Sequence, residues 1–159
     1  MTYAKNTKVP VSKSKADIEA LLLKHGATQY NAGWDANLGL SRVVFQLHGR
    51  MFRFDVRLPS ADEFRQAGRR RRNDADARSA ADKEHMRLWR ARLLIIKAKL
   101  ELISEGESTV ESEFLSDMML ADGSTVRETI IPRIDESYEQ GLMPKLDLVG
   151  GLLPAHTED

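Results

Sequence analysis

Two stretches of alternating side chains, one on each side of a tight turn, constrain this chain more than any other feature in it. Over 40–47, Val43, Phe45 and Leu47 alternate with Arg42, Val44 and Gln46; over 51–58, Phe52, Phe54, Val56 and Leu58 alternate with Met51, Arg53, Asp55 and Arg57. Successive side chains of a strand point to opposite faces, so each stretch reads as a strand with one buried face. His48-Gly49 fits a two-residue hairpin turn, since Gly accepts positive φ. That register sets Phe45 opposite Phe52 and Val43 opposite Phe54 on the core face, leaving Arg42, Arg53 and Arg57 outside. Pro59 ends the second strand. A further strand, about 28–34, precedes the pair, joined by the turn-like Asp35-Ala36-Asn37-Leu38-Gly39.

Helical periodicity flanks this sheet. Ser14 starts a first helix through a weak capping box with Asp17; Ile18, Leu21 and Leu22 form its apolar face and Gly26 its stop. The longest helix is expected over 80–104, with Ser79 as N-cap. Met86, Trp89, Leu93, Ile96, Leu100 and Ile103 recur at 3-4-3-4-3 spacing, a continuous stripe for the sheet's Phe/Val face. A short helix with a Ser108–Glu111 capping box follows, then a last one opened by the Thr125–Glu128 box, with Pro132 inside it as a kink or a start and Gly141 and Pro144 ending it. Segregated strands and helices argue an α+β fold: an N-terminal helix, a three-stranded antiparallel sheet packed on a long helix, then shorter C-terminal helices. A chain of 159 residues suits one domain, expected over 12–145 between a flexible arm at 1–11 and a loose tail at 146–159.

Charge is unevenly spread. The formal net charge is zero, yet 1–100 hold 21 Lys+Arg against 10 Asp+Glu and 101–159 hold 3 against 14. Such asymmetry fits a polyanionic partner for the basic portion, or two portions that pack together and neutralise each other. The basic signal peaks at 65–78, where Arg65, Arg69, Arg70, Arg71, Arg72 and Arg78 lie among Gly, Ala, Asn and Asp with no apolar anchor after Phe64. A mobile loop is expected there. Arg87, Arg90 and Lys97 line a face of the long helix. Arginine forks match phosphate geometry, so a loop and two faces could hold a nucleic-acid backbone without reading bases; an acidic protein surface would serve equally well.

Other chemistries find little support. Without cysteine there is no disulfide, thiolate zinc site or cysteine nucleophile. His25, His48, His85 and His156 are not paired at ligand spacing, so no metal is expected. No phosphate-cradling glycine motif is present, and no cofactor is expected. Asp35 and Asp55 are the carboxylates of the sheet region; Asp55, with Arg53 and Arg57 two positions to either side, reads as a surface ion pair, and no catalytic residue is assigned. No apolar run approaches the roughly 20 residues needed to span a bilayer, and the first eleven residues lack a signal-peptide core. A cytoplasmic chain is expected.

Gly33-Trp34-Asp35, His48-Gly49-Arg50, Trp89-Arg90-Ala91 through Ile96-Lys97-Ala98-Lys99-Leu100-Glu101, Glu113-Phe114-Leu115, and Asp122-Gly123 through Pro132, Tyr138-Glu139, Gly141 and Met143-Pro144 occur in order. In this pattern the chain resembles, over 9–147, a family of small uncharacterised proteins of bacteriophages and prophages. The family carries no established activity; the resemblance implies a phage or mobile-element setting. The expected role is a non-enzymatic accessory protein that binds nucleic acid through its basic half. The alternative is a protein-binding module, for example an inhibitor of a host defence complex.

Overall fold

The computed structural model describes residues 7–142, and the expectations for the far N-terminus and the tail lie outside them. The elements run α1 (Val11–Lys24), β1 (Gln29–Asp35), β2 (Leu40–Leu47), β3 (Arg50–Arg57), a 3-10 turn (Ala61–Phe64), β4 (Gln66–Ala67), β5 (Arg70–Arg71), α2 (Asp74–Ser104), α3 (Val110–Phe114), a second 3-10 turn (Leu115–Asp117) and α4 (Val126–Gln140). This is the expected α+β order, with two differences in the arginine-rich region.

β1, β2 and β3 form one antiparallel sheet in that order. The register pairs Val43 with Phe54 and Phe45 with Phe52, as the alternation requires. The turn is tight because both its residues take positive φ, His48 at 49° and Gly49 at 75°. Phe45, Phe52 and Phe114 form an aromatic knot, with ring centroids 5.2 to 5.8 Å apart. Trp89, Leu93, Ile96 and Leu100 of α2 close over this face with Ile18 and Leu22 of α1 and Val110 of α3. Residues on both sides of position 101 therefore share one core.

Helix starts depart from expectation in instructive ways. α1 begins at Val11, with Lys13 and Ser14 N–H groups donating to the Pro10 carbonyl. Ser14 is not the cap but a fully buried residue whose hydroxyl has no partner among the described residues. α3 is capped one residue later than expected, by Thr109, whose Oγ1 accepts from Ser112 N–H. α4 has the expected Thr125–Glu128 box, runs continuously through Pro132, and ends at left-handed Gly141.

The largest correction concerns 65–78. It is not a loop: it holds the β4–β5 hairpin and the first turn of α2, which starts at Asp74 rather than near residue 80. Asn73 caps that start, its Oδ1 accepting from Asp76 N–H at 2.8 Å, and Asp74 and Asp76 suit the positive end of the helix dipole. Ala77 and Ala81 continue the buried stripe of α2 toward its N-terminus by more than two turns. Small side chains let the 3-10 turn pack close, and they carry too little apolar area to register as anchors in the sequence.

Candidate functional site

The arginines divide by what their guanidiniums touch. On the outer sheet face, Arg42 forms a two-pronged pair with Asp55, Nε to Oδ1 at 2.9 Å and Nη2 to Oδ2 at 3.0 Å. The expectation that Asp55 would pair with Arg53 and Arg57 is thereby corrected. The register places Arg42 directly across from Asp55, closer than a neighbour two positions along the same strand. Hydrogen bonding to this carboxylate raises the pKa of Arg42 above its usual value. Arg53 instead reaches the C-terminal segment, donating to the Gly123 carbonyl at 2.8 Å and pairing with Glu128. Arg57 pairs with Glu63 and lies 3.9 Å from Glu84. Arg87 takes Glu84 with both prongs at 2.7 Å.

These pairs answer the question the charge asymmetry raised. Among the described residues only Arg50–Glu111 and Arg53–Glu128 join the basic first hundred residues to the acidic remainder. Most neutralisation occurs inside the basic portion, through Asp55, Asp62, Glu63, Asp74 and Glu84. Local sequence could have flagged Arg65–Asp62 and Arg87–Glu84, both at i, i+3 spacing, but not the cross-strand or long-range pairs.

In the small hairpin, Arg65 and Arg72 are framework. Arg65 bonds Asp62 at 2.6 Å and also Asp74; Arg72 donates its N–H to the Arg65 carbonyl at 2.8 Å and its Nη1 to the Phe64 carbonyl at 3.0 Å. The Arg65 hydrogen bond holds the Asp74 carboxyl below its usual range, with Arg78 and Arg71 contributing through space. Gly68 occupies the first turn position at φ 63°, a conformation a side chain would strain. Beyond it Arg69, Arg70 and Arg71 are exposed, and their side chains make no hydrogen bond or ion pair with any described residue. Arg78, four residues into α2 from Asp74, is likewise exposed.

Arg90 and Lys97 form a separate patch. They flank a shallow groove between α1 and α2 lined by Asp17, Leu21, Leu93 and Leu94, and Asp17 is already bound by Lys13. At 1.5 Å rise per residue, Arg90 lies about 18 Å along the helix from Arg78 and about 120° around it. The twelve basic residues singled out from the sequence thus divide: Arg42, Arg53, Arg57 and Arg87 are paired with carboxylates, Arg65 and Arg72 hold the hairpin together, Arg69, Arg70 and Arg71 form its unpaired tip with Arg78 exposed on the first turns of α2, and Arg90 and Lys97 make a smaller helix patch.

Arg92, not singled out by the sequence, is half-buried, with its guanidinium carbon 4.8 Å from the Phe54 ring centroid and Nη2 donating to the Asp55 carbonyl. Burial lowers its pKa from the usual value. Of the histidines, His85 accepts a hydrogen bond from the buried indole of Trp89 at 2.9 Å, and burial lowers its pKa. Asp35 caps its own turn, its Oδ1 accepting from Asn37 and Leu38 N–H groups. Among the described residues no group of three or more His, Asp or Glu is placed to hold a metal ion, and no helix is long and apolar enough to cross a membrane.

No protein-family model matches the chain, and no curated protein or solved structure shows detectable similarity to it.

Proposed function

We propose that this protein binds the backbone of nucleic acid, without reading bases, through Arg69, Arg70 and Arg71, with Arg78 beside them. The observation that carries this reading is the state of those three side chains: consecutive, exposed and unpaired, in a chain that pairs most of its other arginines. Arg65 binds Asp62 and Asp74, the two carboxylates that would otherwise compete for them. Adjacent strand residues point to opposite faces, so Arg70 and Arg71 splay apart and suit separate phosphates. Guanidiniums contact phosphate in a bidentate fork, and such contacts position a protein on a strand without specifying sequence. The role is that of a non-enzymatic accessory protein in the phage or mobile-element setting the sequence resemblance implies.

Salt dependence tests it. Binding to random-sequence duplex should weaken with a slope of about −0.9 per phosphate neutralised on a log–log plot. Replacing Arg69, Arg70 and Arg71 by alanine should flatten the slope and weaken binding to all sequences alike, whereas Arg42→Ala should leave it unchanged. Absence of binding at low salt would end this reading.

One observation favours a second reading, a protein-binding module such as an inhibitor of a host complex. α4 buries none of its residues, and Leu115, Val126, Ile130 and Ile131 line an apolar groove beside it, with Leu115 and Ile131 about half exposed. Recovery of one protein from infected cells after nuclease treatment, lost on Ile131→Asp, would favour it.

A further inference from the structure

The sheet has two edges, and the fold treats them differently. Along β3 the chain returns after α3: Met119 N–H donates to the Met51 carbonyl at 2.8 Å, and Met118 bridges to Phe52. Along β1, among the described residues, nothing pairs with the side turned away from β2. A free edge presents a row of unpaired N–H and C=O groups, and natural proteins blunt such edges with lysine, proline, bulges or short strands. β1 uses none of these. Its seven residues, Gln29–Asp35, contain no proline and no cation, and pair with β2 without interruption. Its one charge, Asp35, is turned into its own loop. Trp34 and Leu38, 71% and 63% exposed, sit at the end of this edge.

The strand is also complementary to itself. Antiparallel pairing on a two-fold axis through Ala32 sets Ala32 against its own copy, Asn31 against Gly33, Tyr30 against Trp34 and Gln29 against Asp35. No like charges meet. Tyr30 and Trp34 are four positions apart, an even spacing that puts them on one face of the strand, the one toward α1, where the Tyr30 hydroxyl lies 3.4 Å from the Lys15 carbonyl. Pairing would cover each exposed indole with the tyrosine of the other copy, an aromatic cross-strand pair repeated by symmetry.

We propose that β1 is a dimerisation edge, at which a second copy of this chain pairs antiparallel about Ala32 to make one six-stranded sheet. The contact is isologous, so it closes at two copies and does not propagate. A single seven-residue edge with one indole per copy is a small interface, so the dimer should dissociate on dilution.

Sedimentation velocity of the full chain should show a concentration-dependent monomer–dimer equilibrium. Ala32 is exposed, so Ala32→Lys and Ala32→Glu should keep the wild-type circular dichroism. Each puts two like charges face to face on the axis and should weaken dimerisation by about tenfold or more. Mixed in equal amounts, the two variants should recover the dimer, because lysine then faces glutamate. Should either fail to fold, Trp34→Ser at the exposed end of the strand gives the same reading through loss of the aromatic pair. A wild type that stays monomeric at every concentration, a dimer that both charge variants leave intact, or no recovery on mixing would each overturn the proposal.

Discussion

The β2–β3 hairpin runs eight residues a strand and carries Arg42, Arg53 and Arg57, each tied to a carboxylate; the β4–β5 hairpin runs two residues a strand and carries Arg69, Arg70 and Arg71, none of them tied. The residue type is the same and the surroundings are not. A long hairpin with one face in the core has cross-strand neighbours and packed loops at fixed distances, so its outer arginines find Asp55, Glu128 and Glu63 already in place. A short hairpin projecting from the body has few neighbours, and its own acids, Asp62 and Asp74, are bound by Arg65. The comparison separates arginines that hold the molecule together from arginines left for a partner.

The most severe way to break the long hairpin is from beneath. Phe54 is 3% exposed, meets Phe45 edge-on and lies under the Arg92 guanidinium. Phe54→Ala should cost about 3–5 kcal/mol in urea unfolding, through lost transfer energy and the cavity left behind. Unfolding should remain one cooperative transition, since Phe114 and Val110 share that core. Two separate transitions, one belonging to the residues after 101, would contradict the single core.

The next effect contrasts the hairpins directly. Arg53 is mostly buried and holds the Gly123 carbonyl as well as Glu128, whose own carboxylate is half exposed and screened. Arg53→Ala should cost about 1–2 kcal/mol, mostly from the orphaned carbonyl. Replacing Arg69, Arg70 and Arg71 together by alanine should change stability by less than about 0.5 kcal/mol, because exposed, unpaired side chains contribute little to folding. A triple variant as destabilised as Arg53→Ala would mean that the small hairpin is framework too.

Acid sharpens the same contrast by a smaller amount. The Glu128 carboxyl is held below its usual range first by the Thr125 N–H and further by Arg53, and that of Glu84 first by the Arg87 hydrogen bond. Both favour the ionised form in the folded state, so their contribution is full above the ordinary glutamate pKa of 4.5 and is lost as pH falls through the lowered folded value. Thermal stability should therefore fall below about pH 4.5, and Glu128→Gln should show a shallower fall. An equally steep acid limb in Glu128→Gln would remove this carboxylate from the account.

How much of this was legible follows from the range of each signal. The β2–β3 register was readable because alternation is a local pattern and a two-residue turn leaves one pairing that buries both apolar rows. The α2 stripe was readable from Met86 onward because large side chains mark it. Its first turns were not, since Ala77 and Ala81 mark the buried face with almost no apolar area, and the hairpin before them has strands of only two residues. The arginine run at 69–72 was plain in the sequence. Which arginines are unpaired was not, because Arg53 and Glu128 lie 75 residues apart and periodicity assigns a face without saying what arrives there.

The smallest effect lies in the turns, where the hairpins differ again. Each needs positive φ: the short hairpin supplies it with Gly68 at 63°, while the long one asks it of His48 at 49°, the only non-glycine residue among those described in that region. The left-handed conformation crowds any Cβ against the following carbonyl; Asn and Asp offset this with local side-chain hydrogen bonds, and Asn-Gly is the sequence that two-residue turns of this hand prefer. His48 is exposed, and its side chain makes no hydrogen bond to any described residue. His48→Asn should therefore raise stability by about 0.5 kcal/mol, seen as a higher urea midpoint at unchanged slope. Gly68→Ala is the converse: it forces a Cβ into the left-handed region and should loosen the β4–β5 hairpin. Because that hairpin carries little of the core, the loss should appear as faster amide exchange at Arg72, whose N–H closes the hairpin onto the Arg65 carbonyl, with scarcely any change in global unfolding. A large global loss from Gly68→Ala, or none from either change, would mean that the two turns are not strained in the way their dihedral angles indicate.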